Sequence, residues 1–186
     1  MPEASSELLE ERETDMEDHC AECRYDGRWM SNADVQAALT SLASQIGTLV
    51  RSADDGALRA QPRPGTWSVI EYLGHLRDLM AFHRFVIERA IAEDTPSIAN
   101  VDPDEFVAAA NLRAADRDEL LGQFERRVDR LTELLSTLSA ADLDRPVLFE
   151  QPSPAPPVRH DARLVSRSAV HEAVHHRGDI ERLLAR

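Results

Sequence analysis

Four long segments of this chain repeat apolar residues at helical spacing, and no stretch between them alternates strongly in the manner of a sheet. The first runs from about Asn32 to Ser52, with Val35, Leu39, Leu42, Ile46, Leu49 and Val50 on one stripe; Ser31 or Asn32 is placed to cap it. The second follows the break Gln61-Pro62-Arg63-Pro64-Gly65, takes Thr66 or Ser68 as its cap, and extends to about Glu93. After a loop over 94–103, a short helical piece from Asp104 to Asn111 leads into the third. That helix covers about Asp116 to Ser139, with Leu120, Leu121, Phe124, Val128, Leu131, Leu134, Leu135 and Leu138 in line. The fourth spans about Asp161 to Ala185, after a proline-rich crossover from Pro146 to Pro157 in which Pro146-Val147-Leu148-Phe149 can pair briefly. One apolar stripe per segment closes most simply as an all-α four-helix bundle, a fold that builds its ligand and metal sites between facing helices.

At 186 residues the chain suits one well-buried domain. Residues 1–30 read as an acidic extension ending in a Cys-x-x-Cys turn, its first 19 residues too polar for a core, and residues 31–186 as the bundle. A formal charge of −13 excludes a phosphate-binding surface for nucleic acid and disfavours anionic lipid. Every cationic side chain is arginine, so lysine-based covalent chemistry is excluded. No apolar run reaches membrane-spanning length, and the N-terminus carries no signal-like apolar stretch, so the expectation is a cytoplasmic protein.

The chemistry concentrates in the last helix, where His171, Glu172, His175, His176 and Asp179 fall within nine residues. His171 with His175, and Glu172 with His176, are i,i+4 pairs, each able to offer two donors to one divalent ion from one helix face. A further ligand must come from elsewhere, and His75 is the candidate. On a wheel of about 100° per residue, His75 lies beside Leu79 and Phe82 at the edge of the second apolar arc. His176 falls inside the last arc and Glu172 at its edge, while His171 and His175 point away. This register favours His75, Glu172 and His176; His171 with His175 is the alternative. The plainer readings are a hydrogen-bonded helix histidine for His75 and a surface ion pair for Glu172 with His176. Glu71 and Asp179 are candidates to orient these imidazoles or to act as base, or are simple solvated carboxylates. His83 reads as core, and His160 as a surface residue or as part of a pocket mouth.

Two imidazoles and a carboxylate suit zinc first, and also admit nickel, iron or manganese. Cys20 and Cys23 offer half of a separate structural zinc site, which His19 or the outward His171 and His175 would complete; a redox pair and unbound thiols are the competing readings. Trp67 is expected in the core or a pocket wall, and Trp29 over the apolar end of the bundle. Arg77, Arg159 or Arg177 would supply a clamp for an anionic substrate.

Trp67-Ser68 with His75, followed near the end by Glu172 and His176-Arg177-Gly178-Asp179-Ile180, resembles the DinB/YfiT-like metalloenzyme superfamily over roughly residues 33–186. The resemblance implies a divalent ion held by His75, Glu172 and His176, and often a homodimer. Glu172 stands where most members place His, which is similar to the mycothiol-dependent maleylpyruvate isomerase branch. The Cys20/Cys23 turn resembles actinobacterial members. What this implies is transfer or isomerisation using a low-molecular-weight thiol, mycothiol or a similar one, with a small electrophile as partner. Metal-dependent hydrolysis, and a non-enzymatic metal-stabilised binding or stress-response module, are the alternatives.

Overall fold

The computed structural model describes residues 18–99 and 103–185. The acidic stretch expected to be disordered lies, up to residue 17, outside the described residues. A small hairpin opens the described chain, β1 (His19–Cys20) paired antiparallel with β2 (Tyr25–Asp26). Asp18 and His19, read from the sequence as part of the loose extension, belong to this hairpin: His19 pairs with Asp26, and the Asp18 carboxylate lies 3.5 Å from Arg167.

Helix α1 (Asn32–Ser52) starts at a capping box in which Ser31 and Asp34 satisfy each other's backbone N–H groups. A short α2 (Asp55–Arg59), capped by Asp54, precedes α3 (Val69–Ala92), which begins with a second capping box, Ser68 with Glu71. After strand β3 (Ser97–Ile98) come α4 (Pro103–Ala109) and a single 3₁₀ turn over Leu112–Ala114. Then follow α5 (Arg117–Thr137), capped by Asp116, and a four-residue α6 (Ala140–Leu143). Strands β4 (Pro146–Phe149) and β5 (Val158–Asp161) lead into α7 (Ala162–Leu184), whose N-cap Asp161 accepts from Leu164 N–H at 2.7 Å.

Helices α1 and α3 each pack against both α5 and α7, so the long helices form a ring of four around one core. Leu39, Ile46, Leu73, Leu76, Phe124, Leu131, Leu135, Ala169 and Val170 are buried there, as the helical stripes require. The proline-rich crossover is more ordered than a loop. β4 pairs antiparallel with β5 and parallel with β3, and Val147 is fully buried. Arg145 ties this sheet to the bundle by donating to the Ala90 and Glu93 carbonyls at 2.7 Å each, among the carbonyls that the end of α3 leaves without intrahelical partners. At Gly74 an added Cβ would sit 2.4 Å from the Leu112 side chain, so the 3₁₀ turn reaches α3 only because no side chain intervenes. Trp29 is corrected: it is 88% exposed and covers nothing, because the chain passes from the hairpin straight into the α1 cap. Among the described residues no helix is long and apolar enough to cross a membrane.

Leu131 is fully buried between the helices. Leu131→Ala is expected to lower unfolding free energy by about 2–5 kcal/mol, read as a lower urea midpoint with unchanged slope.

Candidate metal centre

His75 sits two turns into α3, and Glu172 and His176 lie one turn apart in the middle of α7, so the packing of these two helices sets the site. Ligand atoms of His75, Glu172 and His176 all lie within 4.8 Å of one another. The His75 and His176 rings meet edge to face at 5.0 Å, and His176 Nε2 is 3.3 Å from the Glu172 carboxylate. The other ring nitrogen, Nδ1, donates to Asp179 Oδ2 at 2.9 Å. That bond leaves Nε2 aimed at the cluster, the arrangement by which an outer carboxylate fixes a ligating imidazole. Trp67 and Tyr72 wall the site, with Trp67 4.7 Å from the His75 ring and Tyr72 5.2 Å from that of His176.

Next to Glu172 a cavity of about 170 Å³ opens between α3, α7 and the crossover sheet, lined by Leu79, Phe82, His83, Phe149, Val165 and Ser168. Phe149 reaches it from β4, a contribution that no helical pattern could show. His83 is buried, with Nδ1 2.8 Å from the Leu79 carbonyl, so it donates within its own helix.

Electrostatics divide the two imidazoles. Burial, and then the charge of His176, push His75 down to about 4, so it is a neutral donor at physiological pH. Burial also opposes the charged form of His176, but its bonds to Asp179 and Glu172 outweigh this and lift it to about 9. Burial likewise raises the Glu172 carboxyl, and the hydrogen bond and charge of His176 overcome it and hold it at about 2. Without a metal, a proton therefore bridges His176 and Glu172. Two imidazoles and one ionised carboxylate, converging where a proton must otherwise supply the positive charge, fit a divalent ion.

The structure gathers the alternative pair into a different cluster. His171 and His175 face the β1–β2 hairpin, where their ligand atoms and the sulfurs of Cys20 and Cys23 lie within 4.8 Å of one another. His19 is exposed and stands outside it. Glu71 is committed to the α3 cap: its Oε2 accepts from the Ser68 N–H at 2.8 Å and the Ser68 hydroxyl at 2.5 Å. Of the arginines proposed as a clamp, Arg77 is bound to Asp78 and Gln123, and Arg177 to Gln45 and Glu181. Arg159 and the half-buried His160 line a separate cavity, and His160 packs its ring on Phe149 at 5.4 Å.

A helical bundle with this cluster between facing helices defines the class, and comparison with known proteins supplies the family. The profile of the DinB superfamily matches residues 38–180, most of the chain, and the protein belongs to that superfamily. Among solved structures it is similar to YfiT from Bacillus subtilis, described as a probable metal-dependent hydrolase with an unusual four-helix bundle topology. The two share 21% identity and a TM-score of 0.67, covering 83% of this chain and 90% of YfiT. No curated protein matches the sequence.

The pH response of the metal-free protein tests the site's electrostatics. His75 has an ordinary value of 6.5 when unfolded and about 4 when folded, so below pH 6.5 the unfolded state binds the extra proton. Stability is expected to fall as pH drops from about 6.5 to about 4, by on the order of 1–3 kcal/mol. Urea titrations of chelator-stripped protein across that window check this, and His75→Leu should make the drop shallower, the rest coming from His83, His160 and His171, which burial also pushes down.

Proposed function

We propose that this protein is a divalent-metal-dependent enzyme, with His75, Glu172 and His176 holding the ion and a low-molecular-weight thiol as its co-substrate. The observation that carries the reading is the convergence of these three donors, from two facing helices, beside a largely apolar cavity. Three protein ligands leave a position open for a reactant. A divalent ion bound there lowers the pKa of a coordinated thiol or water and so supplies a nucleophile at neutral pH.

The residues around the centre favour a thiol over water. The two carboxylates considered as bases are occupied, Glu71 in the helix cap and Asp179 between His176 and Arg182. A thiol needs little further help from a base once its pKa is lowered, whereas hydrolysis gains from a free one. Asp179 keeps His176 oriented, Trp67 and Tyr72 close one side against water, and Leu79, Phe82 and Phe149 offer apolar surface to a small electrophile. Glu172 in place of a third histidine is in keeping with the mycothiol-dependent isomerase branch, and zinc is the ion of first choice for this donor set. Metal-dependent hydrolysis is the second reading, favoured by the description that YfiT carries.

Elemental analysis of untagged protein is expected to find a metal equivalent that His75→Ala, Glu172→Gln and His176→Ala each lose. Absence of metal from the wild type, even after reconstitution, would sink the proposal. Asp179→Ala should weaken metal binding about 10–100-fold. Metal-loaded protein should accelerate consumption of a small thiol by an electrophile; ester hydrolysis without thiol would select the second reading.

A further inference from the structure

We infer that Cys20, Cys23, His171 and His175 form a second metal site, a structural Cys₂His₂ zinc clamp that fastens the N-terminal hairpin onto α7. This site shares no ligand with the His75 centre and stands whether or not that centre is catalytic.

The donor set is the first argument. Two thiols from the hairpin turn and two imidazoles one helical turn apart have their ligand atoms within 4.8 Å of one another, and Cys20 Sγ is 3.9 Å from His175 Nδ1. Tetrahedral zinc, with bonds of about 2.3 Å to sulfur and about 2.0 Å to nitrogen, places its ligand atoms about 3.3–3.8 Å apart. The four donors thus need only a small contraction. Both cysteines are free thiols.

The backbone around the cysteines is the second argument. The turn between β1 and β2 directs the backbone N–H groups of Cys23 and Glu22 at the Cys20 sulfur, and that of Tyr25 at Cys23. Such donors favour the thiolate, the form in which cysteine ligates zinc, at Cys20; at Cys23 burial outweighs them and pushes the thiol up. Arg24 takes the left-handed conformation, φ 60°, that closes the turn tightly enough to do so.

The imidazoles supply the third. His171 Nε2 is buried and has no hydrogen-bond partner among the described residues, which costs free energy unless something else binds it. His171 is held in place by stacking on Tyr25, at 5.2 Å and 18° between planes. Tyr25 is itself anchored, donating from its hydroxyl to the Arg167 carbonyl at 2.9 Å, and that hydroxyl lies 2.1 Å from where a Cβ on Gly27 would sit. With His175 Nδ1 turned to Cys20, its Nε2 faces Glu22 at 3.9 Å and Asp179 at 4.0 Å, carboxylates suited to orient a zinc-bound imidazole. The hairpin needs such a fastening: its strands are two residues each, too little for independent stability.

Cobalt spectroscopy and zinc release on the full, untagged chain test the clamp. Reduced wild type saturated with Co²⁺ should show a sulfur-to-cobalt charge-transfer band of the intensity of one two-thiolate site per chain. It should survive in His75→Ala and vanish in the Cys20→Ser/Cys23→Ser double variant, whose folding is checked by circular dichroism. An organomercurial titrated into zinc-loaded wild type should release one zinc equivalent, a readout that needs no variant. Saturation with cobalt without the charge-transfer band overturns the proposal. So does a band that persists in the double variant, or release of no zinc by the mercurial.

Discussion

Helix α7 is covered on both sides, and the arrangement of donors follows from that. Residues 171 and 172 are about 100° apart around a helix, as are 175 and 176, so the two i,i+4 pairs look in different directions. One pair faces α3 and the bundle interior, the other the β1–β2 hairpin. No residue from Asp161 to Ile180 is exposed, although this helix carries six ionisable side chains within nine positions. Burying so many polar groups is costly unless each finds a partner. Here His176 has Glu172 and Asp179, and His175 lies near Cys20 and Asp179.

Asp179 is where the two faces come closest. Its Oδ2 accepts from His176 Nδ1 at 2.9 Å and lies 4.0 Å from His175 Nε2, while Arg182 donates to its other oxygen at 2.5 Å. One carboxylate fixed by an arginine thus stands behind an imidazole of each cluster. Under the proposed reading the hairpin closes over the outer face of the helix that carries two of the three interior ligands, and so stiffens it. The apolar wall and the neutral His75 come from α3, whose position depends on the same α3–α7 packing.

The bundle was legible because its signals are periodic and local. The stripes in α1, α3, α5 and α7 recur at helical spacing, and Ser31, Ser68, Asp116 and Asp161 cap where residues of their type cap best. The wheel also separated Glu172 and His176 from His171 and His175, because relative direction on one helix needs no tertiary information. Pairings distant in sequence were harder to see. β3 joins β4 across about fifty residues, Phe149 thereby reaches the cavity beside Glu172, and β5 carries no alternation that marks it. Helix α6 had a readable signal, the capping box of Ser139 with Asp142, but at four residues it has no periodicity. Trp29 misled because an aromatic residue beside a helix start suggests a core plug, and only the path of the chain shows it facing outward. Likewise, a wheel shows only that His171 and His175 turn away from the bundle; that the hairpin covers them was one of two readings, and the Cys20/Cys23 turn was its only signal.

The account rests on a divalent ion between α3 and α7. A crystal structure of the zinc-loaded protein, with anomalous difference maps on either side of the zinc edge, tests this most directly. The account predicts a zinc peak about 2.0–2.2 Å from a nitrogen of His75, an oxygen of Glu172 and Nε2 of His176, with Asp179 still bonded to His176 Nδ1. A map with no peak there, and the His176–Glu172 contact intact at full zinc occupancy elsewhere, would contradict it.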